Sequence, residues 1–418
     1  MIHAEIISIG DELSSGQRLD TNSQWLSQQL GDLGVRVLFH TTVGDELEAN
    51  VQVFQMALGR ADIVIATGGL GPTADDLTRE AVAGATGKEL VLDEAVLGQI
   101  ESRFFRQARS MPQSNRVQAM FPAGCQVIPN PHGTAPGIDV EVQRHDRGPS
   151  RLFALPGVPA EMREMWNATV EPRLGEIPGV AESVIVHRRI KCFGAGESHL
   201  EQMLPDLIRR GRQPSVGITV HKATITLRVT AAAPTREEAV EQIQPTWALI
   251  HEQLGQLVYG QEDDELQHAV AQRLRARGEN VAVAECGTRG MVAQWLGNVP
   301  QQEDFFQGAV VCTPTSQGAG LFSEHGIPEF GSENSVQAMA LAVREHFGTD
   351  WGLAVGEFPS REEQQQGSGE FCLALAGDRQ MESRMRRFAG HPDILLERSA
   401  KQALDLLRLR LLREDAAD

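Results

Sequence analysis

Residues 61–80, ADIVIATGGLGPTADDLTRE, constrain the fold more than any other stretch. ADIVIA (61–66) is an almost continuous apolar run. A strand of that kind is buried on both faces, which is the pattern of a parallel sheet covered by helices. It passes straight into a loop with three glycines in five residues (67–71), and then into a helix expected to begin near Asp76. Upstream, AEIISI (4–9) is a short apolar strand ending at Gly10-Asp11-Glu12. Residues 21–33 carry Trp25, Leu26, Leu30 and Leu33 at helical spacing, with Thr21 or Asn22 as the expected N-cap. VRVLFHTTV (35–43) alternates like a strand, and 46–60 is helical. This β-α-β-α-β succession with short loops predicts an α/β, doubly wound parallel sheet. A helix over roughly 93–108, a strand at RLFAL (151–155) and a helix over 159–174 complete a first domain of residues 1–172.

Two further units follow in the pattern. Residues 176–260 contain a strand (183–194), a helix (197–208), a strand (223–233) and a helix (235–255), a small α/β linking domain with no reactive cluster. From 262 to 418 the apolar strands VAVAE (281–285), GAVVC (308–312), WGLAVG (351–356) and EFCLALAG (370–377) alternate with helices at 265–278, 332–348 and 399–412, a second α/β unit. A chain of 418 residues suits two to four domains.

Charge narrows the partners. The net charge is −18 with no basic block, which disfavours nucleic acid and anionic membrane surfaces. No run approaches the roughly 18 apolar residues of a membrane span, and the first residues read as a strand and not a signal peptide. The five cysteines (125, 192, 286, 312, 372) form no CxxC, so neither a disulfide framework nor a structural zinc site is expected, and a cytoplasmic location is the default.

In a doubly wound sheet, ligands sit beyond the carboxyl ends of the strands. Those ends are small or acidic here: Gly10-Asp11-Glu12, Val43-Gly44-Asp45-Glu46, Gly68-Gly69 and Leu155-Pro156-Gly157. In the glycine loop, the N–H groups of Gly68, Gly69, Gly71 and Thr73 can converge on an anion, helped by the helix dipole. Asp75 and Asp76 stand where a carboxylate either caps the helix or holds a divalent cation beside a phosphate. Asp20 and Asn22 lie just after the first strand end, where Asn22 can bond a polar ligand. PNPHGTAPG (129–137) brings Gly133 and Thr134 as a further flexible approach.

IGDELSSGQRLDTNS, TTVGD, TGGLGPTADDLTRE, PNPHGTAPG and LPGVPAEM together resemble the CinA family (competence/damage-inducible protein A), across the whole N-terminal domain. FGAGES (193–198) and LGQLVYG (254–260) resemble its connecting segment. The resemblance implies a molybdopterin-binding fold, shared with molybdenum-cofactor enzymes in which an aspartate two positions before a threonine of the glycine motif is needed. Here that pair is Asp76 and Thr78, Pro72 belongs to the same motif, and the matching aspartate after the second strand is Asp45. The implied activity is a metal-dependent ADP-ribose pyrophosphatase, releasing AMP and ribose 5-phosphate. Its Mg, Mn or Co ion would rest on Asp76, Asp75 and Asp11, and its assembly would be a homodimer. A non-catalytic pterin- or nucleotide-binding protein is the alternative.

The third domain of the family resembles nicotinamide mononucleotide (NMN) deamidase, with a serine nucleophile in AESCTGG, a Tyr and a Lys in YSNxxK, and a glycine-rich GxAGPxGG loop. AECGTRG (284–290) keeps Ala284, Glu285, Thr288 and Gly290, but Cys286 replaces the serine, Gly287 the cysteine and Arg289 a glycine. Thr313 takes the Tyr position and Gly318 the Lys position, and residues 357–369 (EFPSREEQQQGSG) replace the glycine-rich loop. A thiolate needs less activation than a serine, so a deamidase using Cys286 is a further alternative. With the activating groups gone, however, the expectation is a degenerate domain in which Cys286 has no partner.

Overall fold

The computed structural model describes residues 2–106, 108–145, 147–209, 211–313, 332–360, 362–363, 369–378, 380–388 and 392–416. The chain divides into two compact units, Met1–Val186 with Ala231–Glu241, and His187–Thr230 with Gln242–Asp418. The segment expected as a linking domain is thus shared between them.

The first unit is built on β1 (His3–Ile9), α1 (Thr21–Asp32), β2 (Arg36–Val43), α2 (Leu47–Arg60), β3 (Ile63–Thr67), α3 (Thr78–Thr86), α4 (Glu94–Arg106), β4 (Gln126–Ile128), β5 (Gly137–Val142), β6 (Ser150–Leu155) and α5 (Pro159–Met165). Its sheet runs β2-β1-β3-β6-β5-β4. The first four strands of that order are parallel, as expected, while β5 and β4 are antiparallel additions. Side chains alternate across the sheet with the period of two that strands impose. Ile7, Ile9, Val64 and Ala66 meet Phe54, Val82 and Leu97 on one face. Ile6, Ile63, Ile65 and Phe153 meet Leu26, Leu30 and Trp166 on the other. Two helix boundaries correct the sequence expectation. The helix expected near Asp76 begins at Thr78, and α1 is capped by Asp20, which accepts from the Ser23 N–H, and not by Thr21 or Asn22.

A four-stranded sheet, most of whose residues belong to the second unit, contains β7 (Val184–Cys192), β8 (Ser215–His221), β9 (Thr224–Ala233) and β10 (Val258–Gln261), in the order β8-β9-β7-β10. The helix expected over 197–208 stops at Met203. A five-stranded sheet follows, from β11 (Val281–Glu285), β12 (Phe306–Val311), β13 (Trp351–Val355), β14 (Glu370–Ala376) and β15 (Met381–Arg387), in the order β12-β11-β13-β14-β15. Its two faces differ in size. Val281, Val283, Leu353, Leu373 and Leu375 fill one face. Ala282, Ala284, Ala354, Ala374 and Ala376 line the other, where Val336, Met339 and Ala340 of the helix Glu333–Phe347 pack. Small side chains let that helix come close: a Cβ on Gly352 would collide with the Ala340 carbonyl oxygen. Among the described residues no helix is long and apolar enough to cross a membrane.

Candidate functional site

Parallel register brings the strand ends of the first unit together. Ile9 pairs with Val43, Ser8 with Thr67, and Thr67 with Leu155, so the residues that follow emerge on one rim. A cleft of about 500 Å³ opens there, lined by Gly10, Glu12, Asp45, Gly68, Gly69, Gly71, Pro72, Asp75, Asp76, Thr134, Pro156 and Gly157 among others. Asp20 and Asn22 line an adjoining small recess with Glu12 and Gly157. Asp11, Thr73 and Thr78 line neither recess: Asp11 and Thr73 are exposed beside them, and Thr78 is buried. Gly133 lines a different cavity, its N–H held 2.6 Å from Asn130 Oδ1.

The glycine loop is organised differently from the expected anion cradle. Gly68 and Gly69 have φ of 110° and 64°, conformations that favour glycine, and a Cβ on either would strike the Ile9 carbonyl or the Thr78 hydroxyl. The Asp76 carboxylate turns back into the loop. It accepts from the Gly71 N–H at 2.7 Å and from the Thr73 N–H at 2.9 Å, and the Thr73 hydroxyl donates to it as well. The Gly68 N–H donates to the Leu155 carbonyl. Three of the four amides expected to face a phosphate are therefore bonded within the protein. The Asp76 carboxylate, three to five residues away, is a strong local acceptor for the Gly71 and Thr73 amides, and the end of β6 takes the Gly68 amide. Thr78 secures the other side of the loop, its hydroxyl donating to Gly68 O at 2.8 Å.

Beneath the loop lies Arg79, fully buried, donating to the carbonyls of Leu70 at 2.6 Å and Gly71 at 3.3 Å. Burial pulls its pKa down to about 10, against the pull of Glu80 and Asp76. Its Nε has no partner. The loop thus rests on a guanidinium and closes on a carboxylate.

Acidic groups crowd the opposite wall. Asp11 and Asp45 cap each other's backbone reciprocally, each carboxylate accepting the other's N–H at 3.0 Å. Burial raises the Asp45 pKa, and the charges of Asp11, Asp75 and Glu12 add to the rise against the hydrogen bond from the Asp11 amide. Asp75 is exposed, and a hydrogen bond with Thr73 holds its carboxyl below the ordinary value. Burial works against the Asp20 carboxylate, but hydrogen bonds from Ser23 and Ser8 outweigh it and lower its pKa, which marks Asp20 as a helix cap. Asn22 donates to Thr67 Oγ1 at 3.2 Å and to the Gly157 carbonyl at 2.9 Å, while its buried Oδ1 has no partner. That orphan oxygen at the rim is a ready acceptor.

For a divalent cation the donor set is a partial fit. Among the described residues no group of three His, Cys, Asp or Glu is disposed to hold a metal ion. Asp11 is engaged with Asp45, and Asp76 with its loop, so the trio Asp76, Asp75 and Asp11 is not gathered as one ligand set. Magnesium-type sites need less: one or two carboxylates, with ligand phosphates and water completing the shell. Asp45 and Asp75 line the cleft and Asp11 does not; Asp45 Oδ2 accepts the Asp11 N–H, but its Oδ1 is outside that bond, so the pair suits that smaller role. Several residues of this site were not picked out in the sequence. Arg18, the one basic residue between Gly10 and Asn22, lines both recesses. Arg79, Gln118 and Glu161 support or line the cleft. The cue for Arg79 was weak, because an arginine beside two acids reads as a solvated surface residue.

In the second unit, Cys286 follows β11 directly and is 8% exposed. Its N–H donates to Val355 O at 3.0 Å, and the Gly287 N–H to Gly356 O at 3.0 Å. Glu285 is fully buried and caps the next helix, accepting from Val292 N–H at 3.0 Å and Ala293 N–H at 2.8 Å. Thr288 is buried, with a hydroxyl that has no partner. A cleft of about 780 Å³ is lined by Cys286, Gly287, Arg289, Cys312, Thr313 and Phe358, among others. Phe358 lies so close over Gly287 that a Cβ there would meet its ring, and it stacks with Phe371 and Phe388. Gly318, Arg361 and residues 364–368 of the rebuilt loop lie outside the described residues. The expectation that Cys286 lacks a partner is corrected: its Sγ is 2.9 Å from Sγ of Cys312.

A family model described as a probable molybdopterin binding domain matches residues 5–176. The damage-inducible protein CinA KH domain matches 187–260, and the CinA C-terminal domain matches 263–411. A CinA-like protein of Nostoc sp. is 37% identical over 426 residues, covering 98% of this chain and 99% of that protein. A CinA-like protein of Dictyoglomus turgidum is 35% identical, covering 98% of this chain and 100% of that protein. A crystal structure of CinA from Thermoplasma acidophilum, titled as of unknown function, is 34% identical, with a TM-score of 0.37, covering 41% of this chain and 96% of that one. With full-length relatives at this identity and three family domains in order, the chain belongs to the CinA family.

Proposed function

We propose that the first unit binds a nucleotide diphosphate of the ADP-ribose class and hydrolyses its pyrophosphate bond with a divalent cation, Mg, Mn or Co. The observation that carries this is the cleft at the strand ends, where Asp45 sits among Asp11, Glu12 and Asp75 with its pKa raised. A wall of like charge favours a cation between it and an anionic ligand, and the charges of Asp11, Asp75 and Glu12 add to the rise that burial gives Asp45. When bound, the cation supplies charge neutralisation of the phosphate oxygens and an acidified water. Asp75 and Asp45 are the carboxylates that would hold it. Arg18 adds a positive group on the same rim, and the orphan Asn22 Oδ1 accepts a ligand hydroxyl. Asp76 and Arg79 fix the shape of the loop. Water adds to one phosphorus as the P–O–P bridge breaks, giving AMP and ribose 5-phosphate.

The second unit, in this proposal, does not deamidate NMN. The Cys286 sulfur lies against another thiol, its pKa is pushed up by that contact and by burial, and Phe358 covers Gly287. The test is direct. Purified protein with ADP-ribose and Mg²⁺, Mn²⁺ or Co²⁺ is expected to release AMP, and Asp75→Asn with Asp45→Asn to reduce turnover at least about 100-fold. Tight binding without AMP would replace hydrolysis with a binding role. Ammonia from NMN, lost in Cys286→Ala, would overturn the second half.

A further inference from the structure

We propose that Cys286 and Cys312 form a redox-active dithiol, closing to an intrachain disulfide by exchange with a small-molecule disulfide that enters the cavity of the second unit. Both cysteines stand one residue beyond the ends of neighbouring parallel strands, β11 and β12, where Glu285 pairs with Val311. Adjacent strands are about 4.8 Å apart. Disulfides join Cα atoms about 4.4–6.8 Å apart, so no rearrangement of the sheet is required. The two sulfurs are already 2.9 Å apart, and both are free thiols. The Cys312 N–H donates to the Glu285 carbonyl at 2.9 Å, which keeps the two strand ends in register.

Access separates this pair from the other cysteines. Cys286 and Cys312 are only 8% and 5% exposed, yet both line the cleft of about 780 Å³. Cys372 faces the same alanine-lined core but does not line that cleft. The contact between the two sulfurs holds Cys312 below the ordinary thiol value and, with burial, pushes Cys286 up. Cys312 is therefore the attacking group.

The chemistry balances as a two-step exchange. The Cys312 thiolate attacks one sulfur of the small disulfide, forming a mixed disulfide and expelling one small thiolate. Cys286 then gives up its proton and attacks Cys312 Sγ, forming the Cys286–Cys312 bond and expelling the second thiolate. The protein loses two electrons and two protons, and the small disulfide becomes two thiols.

The full-length protein is incubated under native conditions with the oxidised dimer of mercaptoethanol, a small neutral disulfide, then alkylated and mapped. The expected result is loss of two of the five titratable thiols, a mass lower by two hydrogens, and a peptide joining residues 286 and 312. Dithiothreitol should restore all five. Cys286→Ser and Cys312→Ser should each stop at a mixed disulfide on the remaining thiol, with no intrachain cross-link. Three outcomes would overturn the proposal: an unchanged mass in the wild type, a stable mixed disulfide on wild-type Cys312, or a cross-link that uses Cys372, Cys125 or Cys192. The wild-type map decides this without relying on a variant that folds.

Discussion

At the scale of single residues, the glycine motif has two aspartates with opposite roles. Asp76 spends both oxygens on the loop, while Asp75 is exposed on the cleft. Asp76→Ala therefore removes charge-assisted bonds and leaves the Gly71 and Thr73 amides to reorient. A loss of about 2 kcal/mol in urea unfolding is expected, within the range for hydrogen bonds to charged groups. Asp75→Ala should leave the unfolding midpoint nearly unchanged while abolishing cation-dependent nucleotide binding. Asp45 gives a pH test with a defined sign. Its native pKa is raised, so the native state takes up this proton more readily than the unfolded chain. The resulting destabilisation is present at neutral pH and disappears as pH falls below the ordinary carboxylate value. Asp45→Asn keeps an oxygen for the Asp11 amide, and is expected to be more stable than wild type at pH 7 by no more than about 1 kcal/mol. The gain should vanish near pH 3.5 to 4. In a carbon-detected NMR titration, saturating Mg²⁺ should move the Asp45 midpoint downward.

At the scale of elements, two carboxylates hold helix starts, and the sequence assigned the first of these to Thr21 or Asn22. Asp20 caps α1, and its lowered pKa makes the cap pH-dependent. Its contribution is full above the ordinary carboxylate pKa and is lost as pH falls through the depressed native value. Asp20→Ala should cost about 1 kcal/mol at pH 7 and progressively less as pH falls below the ordinary carboxylate range, measured by chemical denaturation across that range. Glu285, buried at the end of β11, does the same for the helix Met291–Gly297. The strands that were legible were those with apolar runs, β1, β3, β6, β11, β12, β13 and β14, together with β2, β7 and β9. Those missed had buried charge or an exposed face. β5, GIDVEV, carries Asp139 into the core, where Arg151 and Arg173 neutralise it, and a buried ion pair looks like surface in a sequence. β15, MESRMRR, is an edge strand in which Met381 and Met385 are exposed while the charged Glu382, Arg384 and Arg386 are half-buried, the reverse of what its composition suggests. The candidate rim was legible because parallel topology fixes where strand ends go. The inward turn of Asp76 and the meeting of Cys286 with Cys312 were not, because each depends on side-chain direction at a strand end.

At the scale of the whole molecule, the division into two compact units, each with its own sheets and cores, gives the proposed function a test that needs no turnover. Units with separate cores melt as separate cooperative blocks, or as one block with distinguishable local probes. Asp20→Ala marks the first unit, since every partner of that side chain lies there. Glu285→Ala marks the second, because it strips two amides of a buried acceptor, at a cost of about 1–3 kcal/mol. In differential scanning calorimetry each variant should lower one transition. A nucleotide diphosphate that binds the native first unit must stabilise it by mass action, about 2.7 kcal/mol at a concentration 100 times its Kd. ADP-ribose with Mg²⁺ is therefore expected to raise the transition marked by Asp20→Ala, and EDTA to cancel the rise. A shift confined to the transition marked by Glu285→Ala would place nucleotide binding in the other unit and end the pyrophosphatase proposal, because the carboxylates on which it rests would not be at the site.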